Sequence, residues 1–129
     1  MTAQEIFDTV AKHLIAQGKP ALSGEGGCSY RAPDGSKCAI GCLITDEEYS
    51  EEFEDKDIKE VLCIAGGLRE RLGDHETLLF WLQDAHDTRL LYYVDGATNF
   101  PAWEERMRAI AKRFGLSDES LNRDNSNQI

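Results

Sequence analysis

The sequence predicts an α+β fold that is mainly α, with about four to five helices packed around one short β-hairpin at about residues 28–41. Several segments carry apolar residues at helical spacing and are separated by glycine, proline and polar residues. One segment instead alternates in polarity around a turn at residues 33–35, whose sequence is Pro-Asp-Gly. The chain of 129 residues has the length of one domain. We therefore expect a single compact domain over residues 1–117 and a polar, disordered tail over residues 118–129.

The helices are predicted from periodicity and from their end signals. Thr2 and Glu5 have the spacing of a capping box, and the apolar pattern after them predicts a helix over residues 3–17. The Gly66-Gly67 pair lies within another predicted helix, where it indicates close packing or a break. The remaining elements are a short acidic helix capped by Thr45 or Asp46, helices over 57–72, 75–91 and 101–114 (the last capped by Asn99), and a strand or extended loop over 92–100.

The predicted hairpin places three of the four cysteines close together in sequence. If Ala32 lies opposite Ser36, side-chain alternation gives the hairpin an apolar face and a mostly polar face. The apolar face then holds Cys28, Tyr30, Cys38, Ile40 and Cys42, and the polar face holds Ser29, Arg31, Lys37 and Ala39. In this arrangement the cysteines are expected to be small buried side chains.

A zinc site formed by Cys28, Cys38 and Cys42 is the first alternative for these cysteines. On one regular strand Cys38 and Cys42 would lie about 13 Å apart, too far to share an ion. Only a strand that ends near Ala39, with Cys42 in a turn, would bring them together. We therefore expect no cofactor.

A Cys/His hydrolase or deamidase is the second alternative. Cys28 or Cys38 would be the nucleophile and His86 the base that activates it. Gln83, His86 and Asp87 form a polar corner on the predicted helix over 75–91. The competing interpretation is that His86 and Gln83 hydrogen-bond backbone groups at the edge of the core, so we expect the protein not to be an enzyme.

The charge of the chain restricts its partners. The net charge of −10 argues against direct nucleic-acid binding, which needs a basic surface. Residues 46–60 carry nine acidic side chains against two lysines. The candidate binding residues are the acidic Glu47, Glu48, Glu51 and Glu52, the polar Gln83 and Asp87, and the pair Tyr30 and Arg31, which could hold an anion.

The sequence contains no apolar run long enough to cross a membrane, and its first residues lack the pattern of a secretion signal. We therefore expect no membrane association and a cytoplasmic location, where thiols stay reduced.

Three motifs together resemble one protein family. They are C-x-YR…DG-x-KCAIGCLI-x-DE-x-Y in the hairpin region, LQ-x-AHD, and a final helix of the form W-x3-M/L-x2-IA-x2-FGL. Together they resemble a family of small uncharacterised proteins encoded in tailed bacteriophages, prophages and some bacteria, and the resemblance covers about residues 2–117. It implies a setting inside a bacterial host and no particular mechanism. We therefore expect a phage accessory protein that binds a host protein, such as a component of a defence system, with the hydrolase and the zinc-stabilised module as alternatives.

Overall fold

The computed structural model describes residues 1–17, 30–32, 34–54, 56–87, 93–94, 97–98 and 100–122. Its helices are α1 (Ala3–Gln17), α2 (Ile58–Ile64), α3 (Gly66–Leu72), α4 (Glu76–Asp87) and α5 (Phe100–Phe114). Short 3-10 turns lie at Gly41–Leu43, Glu51–Phe53, Gly73–His75 and Glu119–Leu121. Two strands of two residues each, β1 (Tyr93–Val94) and β2 (Ala97–Thr98), pair antiparallel and form no larger sheet within the described ranges. The fold is all-α.

The predicted α+β class is therefore wrong, because the expected central hairpin does not form a sheet. Its described part contributes one isolated bridge, between Arg31 and Lys37, and no strand. The predicted register is nevertheless present at the turn, where the Ala32 N–H donates to the Ser36 carbonyl at 2.8 Å and Gly35 adopts a φ of 90°. Cys28 and Ser29 lie outside the described residues.

Beyond the turn the chain leaves the extended conformation at Ala39. The Cys42 N–H donates to the Cys38 carbonyl at 3.1 Å, so residues 38–42 form a tight turn. Cys38, Ala39 and Ile40 are all buried, which removes the expected alternation between two faces. The predicted apolar face shared by Cys38, Ile40 and Cys42 on a strand is therefore wrong.

The ends of α1 and α5 follow from local sequence. The Thr2 N–H donates to Glu5 at 2.8 Å and the Glu5 N–H donates to the Thr2 hydroxyl at 3.1 Å, so the predicted capping box is confirmed. At the end of α5, Gly115 has a φ of 68°, and the Leu116 N–H donates to the Ala111 carbonyl at 2.8 Å. This pattern is the Schellman motif, which favours glycine because its backbone must adopt a positive φ.

The helix predicted over residues 57–72 is divided at Ala65 into α2 and α3. Asp57 and Glu60 form a capping box that begins α2, and Gly66-Gly67 forms the first turn of α3. The short acidic helix predicted from Thr45 is wrong. Residues 46–48 form a turn there, and a 3-10 turn follows at Glu51–Phe53.

One hydrophobic core joins the helices with the turns between α1 and α2. α4 packs against both α1 and α5, and α1 also contacts the turns at Gly41–Leu43 and Glu119–Leu121. Leu121 is fully buried in this core. Residues 118–122, which the sequence assigned to the tail, are therefore part of the packed structure, while residues 123–129 lie outside the described residues.

Candidate functional site

Arg31 is held in a pocket of polar and aromatic groups. Its Nη2 donates to the Ile44 carbonyl at 3.2 Å and lies 2.8 Å from the Asp46 carboxylate, and its guanidinium lies 4.5 Å from the centre of the Tyr49 ring. Its Nε is buried without a hydrogen-bond partner among the described residues. The cation binds to the protein's own groups, so Arg31 anchors the start of the acidic segment to the turn region.

Glu54 joins the neighbouring backbone to the same cluster. Its two carboxylate oxygens accept from the backbone N–H groups of Tyr30 and Arg31 at 3.1 and 3.2 Å. The Tyr49 hydroxyl donates to Glu54 Oε2 at 2.7 Å, and burial together with this carboxylate raises the pKa of Tyr49 to about 12. The Tyr30 hydroxyl donates to the Lys56 carbonyl at 2.5 Å. Tyr30 and Arg31, predicted as a pair that could hold an external anion, lie beside the Glu54 carboxylate instead.

Glu48 forms the second anchor of the acidic segment. Arg71 donates to both of its carboxylate oxygens, at 3.1 and 2.6 Å, and to the Leu43 carbonyl at 2.9 Å. The hydrogen bonds from Arg71 lower the pKa of Glu48 below its usual value. Thr45 and Glu48 also exchange hydrogen bonds at 3.1 and 3.2 Å. Glu48 is therefore bound within the fold by Arg71, with 21% of its side chain exposed.

The other three glutamates of the predicted contact set are exposed. Glu47 lies between Asp46 and Glu48, and Glu51 and Glu52 lie between the anchors formed by Glu48 and Glu54. Asp46, at the start of the segment, has a side chain that is 84% exposed although it pairs with Arg31. The structure therefore presents an acidic surface, defined as Asp46, Glu47, Glu51 and Glu52, on a short segment fixed at both ends.

The described candidate nucleophile is inaccessible. Cys38 is only 1% exposed, and its sulfur accepts a hydrogen bond from the Gly41 N–H at 3.2 Å. The neighbouring Cys42 thiol donates to the Ala39 carbonyl at 3.1 Å, and burial raises its pKa to about 12. A thiol must ionise to attack, so burial of this kind opposes nucleophilic chemistry. Cys28, the other candidate nucleophile, lies outside the described residues.

His86 and Gln83 lie at the edge of the core on α4. The Gln83 side chain accepts from the Ile40 N–H at 3.1 Å and thereby ties α4 to the cysteine turn. His86 is buried. The prediction that Gln83 hydrogen-bonds a backbone group is confirmed, whereas the side chain of Asp87 lies outside the described part of the structure.

The expected separation of Cys38 and Cys42 on a regular strand, which argued against a shared zinc ion, is wrong. The two residues lie on one tight turn. Within the described residues, however, no group of three or more His, Cys, Asp or Glu side chains could hold a metal ion. The three-cysteine zinc site stays an untested alternative to the prediction of no cofactor, because its third ligand would be Cys28, which lies outside the described residues.

A cleft between the first turns of α2 and α4 was missed by the sequence reasoning. It has a volume of about 390 Å³ and is lined by Asp57, Ile58, Lys59, Glu76, Thr77 and Phe80. Phe80 is 56% exposed, although Leu78, Leu79 and Leu82 beside it are buried. The helical spacing of about 100° per residue puts Phe80 opposite the centre of that buried face. A helical wheel would therefore have predicted that Phe80 is exposed.

The comparisons with known proteins give no relative on which to base an assignment. No family model, curated protein or solved structure matches the chain. None of the described helices has both the length and the apolar composition required to cross a membrane.

Proposed function

We propose that the protein is a non-enzymatic binding protein whose acidic surface contacts a basic region of a partner protein. The observation that carries this proposal is the way the acidic segment is fixed. Arg31 pairs with Asp46, Arg71 pairs with Glu48, and Tyr49 bonds Glu54. Between these contacts Glu47, Glu51 and Glu52 remain exposed.

A segment fixed in this way is useful for binding because its backbone loses little conformational freedom when a partner arrives. Exposed charges of one sign also accelerate encounter with an oppositely charged partner and suppress wrong partners. A solvated acidic surface without a partner is the simpler alternative, and only a binding measurement separates the two.

The buried Cys38 and the raised pKa of Cys42 support a binding role over catalysis by either of these thiols. The resemblance to proteins of tailed phages adds the setting of this proposal, which is the cytoplasm of a bacterial host. In that setting the partner is a host protein, and a component of a defence system is the specific form we propose.

The test compares two triple variants that remove the same charge. One carries Glu47→Gln, Glu51→Gln and Glu52→Gln, and the control carries Glu70→Gln, Glu105→Gln and Glu119→Gln at exposed positions elsewhere. Each tagged protein is used to capture proteins from a bacterial lysate, and the captured proteins are quantified by mass spectrometry.

We expect at least one host protein to be captured by the wild type and the control but lost with the first variant. The loss should also occur when salt is added, because exposed charges are screened. Equal capture by both variants would contradict the role of the acidic surface.

A further inference from the structure

We propose that the cleft between α2 and α4 receives one apolar side chain from a peptide segment of the partner, in which lysine or arginine flanks that side chain. This inference deepens the proposed function and rests on it in one respect, namely that the partner is a protein. It assigns to the partner a chemistry that the acidic surface alone does not specify.

The first observation is the exposure of an aromatic ring at a concave site. Phe80 is 56% exposed and lines the cleft together with the apolar side chain of Ile58. Single exposed apolar residues are ordinary on protein surfaces. An exposed aromatic ring in a cleft of about 390 Å³ whose accessible wall is mainly apolar is different, because a side chain placed there packs against the ring and loses part of its contact with water.

The second observation is that the ring of Phe80 has a fixed neighbour. It meets the ring of Trp81 edge to face, with centroids 5.8 Å apart and planes at 82°. Trp81 in turn lies under the guanidinium of Arg113, which is 4.9 Å from the centre of its ring. These contacts limit the motion of Phe80, so less conformational freedom is lost when a ligand packs against it.

The third observation is the charge at the rim. Asp57 and Glu76 line the cleft, and Asp57 belongs to the acidic run of residues 46–60. Among the lining residues that the structure describes, Lys59 is the only cation, so their net charge is negative. A basic residue next to the inserted side chain would therefore be attracted to the rim, and an acidic one would be repelled. This charge complementarity is why we choose a basic peptide as the occupant.

The test uses fluorescent peptides of about nine residues built on a Gly/Ser chain. One carries a central Leu with Lys on both sides, a second replaces the Leu with Ala, and a third replaces each Lys with Glu. Binding is measured by fluorescence polarisation, and the site is located by amide chemical-shift changes.

The protein variants are Phe80→Ser, Glu76→Gln and the control Ile64→Ser. Ile64 is an exposed apolar residue of α2 that does not line the cleft, which makes it the matched control. Because all three side chains lie at the surface or its edge, the variants should keep the fold, and the amide spectrum verifies this directly.

We expect the Lys–Leu–Lys peptide to bind, with shifts at the cleft residues. Binding should weaken about tenfold or more in Phe80→Ser and with the Ala peptide, and less in Glu76→Gln, while Ile64→Ser should bind like the wild type. No binding by any peptide overturns the inference. Binding that depends on Phe80 but ignores the flanking charge also overturns it.

Two further outcomes separate this inference from the proposed function. In the first, peptide binding requires the Lys residues but neither the peptide's Leu nor Phe80, and it weakens in the Glu47/Glu51/Glu52 triple variant. This result would overturn the inference about the cleft and support the proposed role of the acidic surface. In the second, the peptide binds at the cleft as expected, but both triple variants capture host proteins equally. This result would support the inference about the cleft and contradict the proposed role of the acidic surface. A wild type that dimerises through Phe80 in sedimentation experiments would make a second copy the occupant and overturn the inference.

Discussion

The side-chain amide of Gln17 forms two hydrogen bonds with the backbone of Lys37. Its Nε2 donates to the Lys37 carbonyl at 2.9 Å, and its Oε1 accepts from the Lys37 N–H at 2.8 Å. Gln4, near the other end of α1, binds the backbone of Ser117 in the same way, at 3.0 and 2.8 Å. Each amide occupies the position that a neighbouring strand would take in a sheet. Two distant segments are thus held to α1 by side chains, without a β-ladder.

Replacing Gln17 with Ala should destabilise the protein by about 1–3 kcal/mol, because the partly buried Lys37 N–H would lose its Gln17 partner. The Lys37 carbonyl would lose the Gln17 amide as well but keep the His13 ring nitrogen at 3.1 Å. Urea unfolding followed by circular dichroism measures this change. The control is Lys12→Ala, at an exposed position of the same helix, which should change stability by less than about 0.5 kcal/mol. Similar unfolding midpoints for the two variants would show that the Gln17 contact contributes nothing to the fold.

Gly41 should be irreplaceable for steric reasons. A Cβ atom at this position would lie 2.0 Å from the Tyr30 carbonyl oxygen and 2.8 Å from its carbonyl carbon. Because these are backbone atoms, Gly41→Ala should cost about 3 kcal/mol or more, or prevent folding. The control is Gly66→Ala, where nothing lies within 4 Å of the added atom, and it should be neutral or stabilise by about 0.5 kcal/mol. A stably folded Gly41→Ala protein with a native amide spectrum would contradict this contact.

The Glu48–Arg71 pair should make stability depend on pH in the acidic range. The pKa of Glu48 lies below its usual value of 4.5 in the folded protein, because Arg71 stabilises the carboxylate. The unfolded chain therefore takes up this proton first as the pH falls. The stabilisation is complete above a pH of 4.5 and is lost as the pH falls from there through the lowered pKa.

Glu48→Gln should accordingly be about 1 kcal/mol less stable than the wild type at neutral pH, and the difference should shrink in acid. Urea unfolding across the pH range measures both effects. Glu47→Gln, the adjacent exposed glutamate, is the control and should follow the wild-type profile. A difference between Glu48→Gln and the wild type that stays constant with pH would refute the linkage.

The thiols should differ strongly in their reaction with iodoacetamide. In a Cys28→Ser background, the exposed Cys63 should be labelled rapidly at neutral pH. Cys38 and Cys42 should react only after unfolding, because Cys38 is buried and burial raises the pKa of Cys42 to about 12. Peptide mapping by mass spectrometry assigns the labels. Rapid labelling of Cys38 in the native protein that slows in His86→Ala would instead support the hydrolase alternative.

The hairpin prediction failed for a reason that Tyr30 and Glu54 make clear. Alternating polarity and the Pro-Asp-Gly turn correctly placed Ala32 opposite Ser36, since a turn depends on residues close in sequence. To continue the ladder, the Tyr30 N–H would donate to the Cys38 carbonyl. Here the Tyr30 N–H donates to the Glu54 carboxylate at 3.1 Å, and the Cys38 carbonyl accepts from the Cys42 N–H. Glu54 is 24 residues away from Tyr30, so no local pattern could reveal this contact.

The candidate site was predicted in part. The negative charge of residues 46–60 is visible from composition. Composition does not show which of these carboxylates bind groups within the fold and which remain exposed. Glu48 binds Arg71 while Glu47 remains exposed, and only the position of α3 separates these adjacent glutamates. The cleft at Phe80 was missed because it forms between two helices whose packing the sequence did not specify.

Local sequence is sufficient for the helices and their ends. The capping box at Thr2, the Schellman glycine at Gly115 and the break beside Gly66-Gly67 each involve residues within about one or two turns of one another. The path of residues 34–54, the burial of Cys38 and the choice of exposed carboxylates depend on contacts with Gln17, Arg71 and Gln83. These contacts join residues 20 to 43 positions apart. They exist only after the helices have packed, because hydrogen bonds between distant residues need a core that holds both partners in place.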